Sequence, residues 1–146
     1  MNGEMALRAE NSREERENIE IVKQIYRDFL NGDIDAVLNA LADDVDWNSR
    51  VNWPGGPADI PYNRPCPGRN EVADAFSLFI DAVRYERPLG PNSYTASGNR
   101  VLVTGQDIRR DLANDELTEN RWSMLWIFEQ GKVIRFRMYQ DTVEVL

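Results

Sequence analysis

Two neighbouring segments near the C-terminus constrain the fold more than any other feature of the chain. Trp122, Met124, Trp126 and Phe128 fall on alternate positions, and after Gln130-Gly131 the apolar residues Ile134, Phe136 and Met138 alternate with Arg135, Arg137, Tyr139 and Asp141. A period of two means strands with one apolar face, and the intervening Gly marks a hairpin. A two-residue loop would set Glu129 opposite Lys132 and bring Trp126 and Met124 beside Arg135 and Arg137. A three-residue loop with Gly131 left-handed in a bulge instead pairs Trp126 with Ile134, Met124 with Phe136 and Trp122 with Met138. The second keeps apolar against apolar and is the register expected. Ser123, Leu125 and Ile127, on the other face, are moderately apolar, so that face is expected to be covered by a second subunit in a homodimer.

Upstream, the period changes. Residues 1–18 are polar, with Arg13 to Glu17 all charged, and form a solvated helical lead-in to a single domain over 19–146. Ile19, Val22, Ile25, Tyr26, Phe29 and Leu30 recur at helical spacing, Gly32 supplies the stop, and Asp33 N-caps a second helix striped by Ile34, Val37, Leu38 and Leu41. Val45 to Val51 alternates as a strand. Residues 52–68, rich in Pro and Gly, form a long loop of the kind that rims a site. A third helix from near Asn70 presents Val72, Phe76, Phe79, Ile80 and Val83. Turns at Ser97-Gly98-Asn99 and Ala113-Asn114-Asp115 then separate extended segments. Helices first and strands last make the class α+β with an antiparallel meander.

Composition narrows the chemistry. The 146 residues include no histidine, which removes the usual general base, the usual zinc ligand and every His-activated nucleophile. A net charge of −8 disfavours nucleic acid. The one cysteine, Cys66, cannot close an internal disulfide, so a reducing, cytoplasmic setting is expected. No apolar run reaches membrane-span length, no signal-peptide core stands at the start, and no nucleotide, metal or organic-cofactor motif occurs.

The segments IVKQIYRDFLNGDIDAVLNALADDVDW, PCPGRNEV and RWSMLWIFEQGKVIRFRMYQDT, in that order and spacing, resemble the SnoaL-like polyketide cyclase and ketosteroid isomerase group of the nuclear transport factor 2 superfamily, from about Asn18 to Leu146. The resemblance implies a cone-shaped, curved antiparallel sheet wrapped around three N-terminal helices, with an apolar pocket between. It also implies where acid–base groups should stand. The places of the epoxide hydrolases' Arg and two Asp residues are Trp122, Met124 and Met138. The His and Glu common in SnoaL-like proteins are replaced by Met124 and Met138. The isomerases' base falls near Ser49, and their helical tyrosine at Ile25, one position from Tyr26.

The expected site is therefore a pocket without catalytic residues that can be named, metal or cofactor. Trp47, Trp53, Tyr62, Trp122, Met124, Trp126, Phe136 and Met138 are its candidate walls, although aromatics at strand spacing also serve as plain core and the two Met residues as core fill. Tyr26, Asn48, Ser49 and Gln140 are the candidate polar groups, able to hydrogen-bond but poor bases. Asp43 and Asp44 read as solvated. Asp107 and Arg109 read as an outward interface pair rather than an inward acid and its partner, and Arg137, Tyr139 and Asp141 as outer-face residues. Cys66, between two prolines, offers only a weak case for a reactive thiol. Two functions fit: a small-molecule-binding domain for a hydrophobic ligand that has lost the family's acid and base, or a cofactor-independent isomerase or cyclase acting on a small hydrophobic carbonyl compound.

Overall fold

The computed structural model describes residues 11–52 and 65–146, the side chains of 49–52, 88, 89 and 141–145 excepted. Trp53, Tyr62 and most of the Pro/Gly loop expected to rim the site lie outside the described residues. Helix α1 (Arg13–Leu30) starts where a Ser can cap it. The Ser12 hydroxyl accepts from the Glu15 amide at 3.1 Å while the Glu15 carboxylate accepts from the Ser12 amide at 2.7 Å, which satisfies two N-terminal donors reciprocally. Arg13 to Asn18, part of the polar lead-in, thus form the first turns of α1, and Asn18 is already buried. The helix stops at Asn31, followed by Gly32 at φ 76°. Asp33 caps the short α2 (Ile34–Asn39), as its position suggested.

The third helix, α3 (Arg69–Ala82), does not join the first two directly. Strands β1 (Leu41–Asn52) and β2 (Pro65–Pro67) lie between, so the elements interleave more than a simple order of helices then strands. Of the face expected on α3, Val72 is buried and Phe76 packs against the core, but Ile80 is half exposed and Val83 already begins β3. Leu30 on α1 is likewise half exposed, one position past the end of the buried stripe.

Strands β3 (Val83–Ser97), β4 (Arg100–Asp111), β5 (Leu117–Glu129) and β6 (Lys132–Val145) form the expected antiparallel meander. The full order is β2-β1-β6-β5-β4-β3, and β1 runs parallel to β6. The sheet is therefore mixed, not wholly antiparallel. The chain leaves β1, crosses through β2 and α3 to the far edge, and meanders back, so β6 arrives beside β1 in the same direction; parallel neighbours require such a crossover. Helix α1 packs on β3 and β4, and α3 on β1 and β2, leaving the core between them and the inward sheet face.

The hairpin register differs from that expected. Gln130 and Gly131 both have positive φ, 50° and 78°, and make a two-residue turn that pairs Glu129 with Lys132. An extra residue at Ile134 then shifts the ladder between Phe128↔Val133 and Ile127↔Arg135. Beyond this bulge Trp126 opposes Phe136, Met124 opposes Met138 and Trp122 opposes Gln140.

Trp122 also needs room beneath it on β4. A Cβ at Gly105 would overlap the Trp122 Cζ2 and lie 2.6 Å from the Gly90 carbonyl oxygen, so both a ring and a backbone would have to move. Gly105→Ala is expected to cost about 1–3 kcal/mol, as overpacking does elsewhere. Urea unfolding measures it, and an unchanged midpoint would show that the ring and the Gly90 backbone both yield freely.

Candidate functional site

The inward face gathers aromatic side chains from four elements. Trp47 of β1 stacks on Phe136 of β6, with ring centroids 3.8 Å apart and planes at 18°, while Trp126 of β5 closes on Phe136 at 4.5 Å. Tyr26 of α1 lies over this wall, 5.9 Å from both Trp122 and Trp126. These rings border a cavity of about 100 Å³ that is also lined by Met124, Met138 and Gln140 and closed on the helix side by residues such as Phe29 and Phe76. Six of the eight candidate wall residues thus meet around one space; the other two, Trp53 and Tyr62, fall outside the described residues.

The candidate polar groups divide. Tyr26 and Gln140 line the cavity, but Asn48 does not: it follows Trp47 on β1 and, as alternation requires, shares the face of Asp46 and Arg137. Ser49 pairs with Met138 through the backbone, and its side chain is outside the described set. Ile25, where the resemblance placed a tyrosine, also borders the cavity, and Tyr26 beside it brings its phenol into the site. That hydroxyl donates to the Met124 sulfur at 3.0 Å and accepts from the Trp126 indole N–H at 3.3 Å. Burial pushes its pKa well above the ordinary tyrosine value, and the Trp126 hydrogen bond offsets only part of the shift.

The largest departure from expectation is on β4. Asp107 and Arg109 are not an outward pair; they are 2% and 7% exposed and line the same cavity. Arg109 Nε donates to Asp107 Oδ1 at 2.8 Å, and Asn120 Nδ2 donates to the same oxygen at 3.3 Å. Gln140 Nε2 in turn donates to Asn120 Oδ1 at 3.2 Å, so the network crosses three adjacent strands. Burying two charges costs several kcal/mol each, by rough estimate, and removing one partner of such a pair typically costs about 3–5 kcal/mol because the other is left uncompensated. The missed signal was phase. Val101, Val103 and Gly105 are inward, and continuing by twos reaches Asp107 and Arg109; Leu102 and Ile108, apolar on the opposite phase, obscure it. Opposite them, Asn120 continues the inward row of Trp122, Met124 and Trp126.

The bulge also changes which residues face each other. Met124 and Met138, the places of the His and Glu expected from SnoaL-like proteins, are direct cross-strand partners, and the group across from Trp122 is Gln140 rather than Met138. On the outer face Arg137 Nη2 donates to Asp46 Oδ2 at 2.8 Å and Tyr139 is half exposed. Asp43 and Asp44 are exposed, and Cys66 is buried on β2 opposite Trp47. Among the described residues no three His, Cys, Asp or Glu side chains cluster as metal ligands would, and no helix is long and apolar enough to cross a membrane.

Comparison with family models and with curated proteins finds no match. Solved structures do match. An NTF2-like protein of unknown function from Burkholderia pseudomallei superposes with a TM-score of 0.76 at 26% identity, covering 86% of this chain and 91% of that one. An NTF2-like protein from Burkholderia xenovorans gives 0.73 at 26% identity, with 88% and 92% covered. TerC, crystallised with polyporic acid, gives 0.72 at 22% identity, with 86% and 92% covered. The fold is that of the nuclear transport factor 2-like superfamily, as the sequence resemblance implied. Together with the aromatic cluster, it fits a ligand-binding domain.

The buried phenol yields a pH test. A tyrosine whose pKa is raised in the folded chain keeps its proton there, so the stability tied to it is full below about pH 10 and falls as pH climbs toward the raised value. Ultraviolet difference titration is expected to show one tyrosine ionising only with alkaline unfolding, and Tyr26→Phe is expected to remove that step. A Tyr26 that ionises reversibly near pH 10 in the folded chain would contradict its burial.

Proposed function

We propose that this chain is a small-molecule-binding domain whose cavity takes a flat hydrophobic ligand and lacks the acid–base residues usual in SnoaL-like proteins. The observation that carries the reading is the facing pair Met124 and Met138 within a wall of Trp47, Trp122, Trp126 and Phe136. Thioethers are adaptable, polarisable wall and weak acceptors that move no proton. Size bounds the ligand. A dry cavity of ~150 Å³ holds benzene, so a space of about 100 Å³ takes at most a single ring, and a steroid-sized body would have to extend through the mouth. Burying ~200 Å² of ligand at about 25 cal/mol/Å² gives roughly 5 kcal/mol before association costs, so affinities weaker than micromolar are expected.

Tryptophan fluorescence or indole N–H resonances of the full chain, titrated with single-ring and fused-ring compounds, test this. Saturable binding is expected, weakened at least about tenfold by Met124→Glu or Met138→Glu, since each sets a carboxyl group against the ligand. No saturable signal from any compound would leave the inward ring as core alone.

Asp107 favours a second reading, a cofactor-independent isomerase or cyclase-type enzyme acting on a small carbonyl compound. The two part on whether a bound ketone exchanges protons beside its carbonyl with D₂O in an Asp107-dependent way.

The same proposal includes a homodimer joined through the outer sheet face, where Leu125 and Ile127 are partly buried beside Arg137 and Tyr139, and a cytoplasmic setting, which suits a chain whose one cysteine cannot close an internal disulfide. Light scattering at micromolar concentration is expected to give the mass of two chains, and a monomer would refute this part.

A further inference from the structure

We infer that the last turns of α3 are a gate to the cavity, with the Phe79 ring as the piece that moves aside to admit a ligand; the inference rests on the pocket reading above. Solvent reaches the lining in few places. The side chains that border the cavity are buried except for Met138 on β6 and four partly buried rings, Phe29 of α1, Phe76 and Phe79 of α3 and Tyr85 of β3. The four rings shut the helix side. Phe29 lies 5.8 Å from Phe76, 6.4 Å from Phe79 and 6.5 Å from Tyr85, centroid to centroid, and Phe79 lies 5.9 Å from Tyr85. Rings at those separations are in contact, so a flat molecule passes between them only when one is displaced.

Anchoring decides which ring yields. Phe29, Phe76 and Tyr85 pack against the buried core, and Trp47 also holds Phe76 edge-on at 5.5 Å. Phe79 lines the cavity without packing against that core. The helix beneath it is weakly held as well. Its buried residues, Val72 and Ala75, both lie in its first half, while Leu78 and Ile80 are 40% and 50% exposed. No side chain caps it at Gly68, and its last turn carries Asp81 and no basic residue, although a helix C-terminus favours cations. By contrast, α1 has a capping box, four buried residues and Arg27 in its last turn.

The loose stretch is bounded on both sides. Phe76 is fixed by Trp47, and the Ala82 carbonyl accepts from the Leu112 amide at 3.0 Å, just before Val83 enters β3 opposite Asp111. Residues 77–81 can therefore open as one short unit without unpairing the sheet, the local kind of opening that few buried contacts permit. Swinging Phe79 outward parts it from Phe29 and Tyr85 and leaves the wall of Trp47, Trp126 and Phe136 in place. Such a gate slows entry and exit together, because the closed chain neither admits nor releases a ligand.

Fluorobenzene, a single ring, is the probe, and fluorine NMR relaxation dispersion with the full chain reads its association and dissociation rates. An open state populated at ~10% or less holds association to that fraction, so Phe79→Ala, which leaves the port open, is expected to raise the association rate at least about fivefold. Dissociation should rise with it, whereas loss of a residue that only lines the wall would raise dissociation alone. Leu78→Ala, exposed beside Phe79 and outside the lining, is expected to change neither rate. Asp81→Lys, which sets a cation at the helix end, is expected to slow both rates about twofold or more. Hydrogen exchange reads the opening without a ligand: protection of the 79–82 amides is expected to be at least about tenfold lower than that of Val22, Ile25 and Tyr26. An association rate unchanged in Phe79→Ala, or equal protection of the two helices, overturns the gate and leaves the pocket reading intact. Should Phe79→Ala fail to fold, rates unchanged in Asp81→Lys overturn it in the same way. Fluorobenzene that does not bind overturns the pocket reading and the gate with it.

Discussion

The bulge at Ile134 is the constraint on which the inward face of the sheet depends. A two-residue turn at Gln130-Gly131 pairs Glu129 with Lys132 and so matches even positions of β5 with odd positions of β6. Carried along the hairpin, that register would put Trp126 beside Arg135 and turn either the aromatic row or the arginines to the wrong side. One extra residue reverses the phase. Val133 is buried before the bulge, Phe136 and Gln140 after it, and Arg135 and Arg137 turn outward to Asp46. The stacking of Trp47 across the parallel β1–β6 pair depends on the same correction, because it requires Phe136 to face inward.

A chain that builds one face this way has to dispose of its polar side chains, and it does so in two different environments. The Asp46–Arg137 contact lies at the surface, where such pairs are worth little. Arg137 holds the Asp46 carboxyl below its usual range mainly by hydrogen bonding, against a smaller desolvation effect. The Asp107–Arg109 contact has similar chemistry but sits in the core, where screening is weak and an unpaired member would be far more costly. Sequence cannot distinguish the two pairs by residue type. Only the phase of the strand does.

Much of the fold was legible because local signals agreed with tertiary packing. Ser12 and Asp33 cap helices, Gly32 has the positive φ that ends one, and alternation found β1 and the final hairpin. What was not legible depended on non-local choices. The parallel β1–β6 pairing leaves no mark in either strand alone, and Ile134, an apolar residue among apolar residues, does not announce a bulge. In the site, six aromatic and Met candidates on the adjacent strands β1, β6 and β5 were brought together because on each strand the large aromatic and Met side chains share one phase of a period-two pattern. Asp107 and Arg109 were misplaced because both faces of β4 carry apolar residues, and chemistry alone then argued for the surface.

The two departures, methionines where the resemblance implied acid–base groups and charges where surface was expected, have one physical consequence. A His and a Glu on β5 and β6 would have offered strong acceptors to the hydroxyl of Tyr26 and its neighbours. Met124 offers only a thioether, and Met138, its cross-strand partner, offers no stronger acceptor. The local order of donation runs from the Trp126 indole to the Tyr26 oxygen and from the Tyr26 hydroxyl to sulfur, ending on a poor acceptor, while Arg109 and Trp122 retain N–H groups without partners among the described residues.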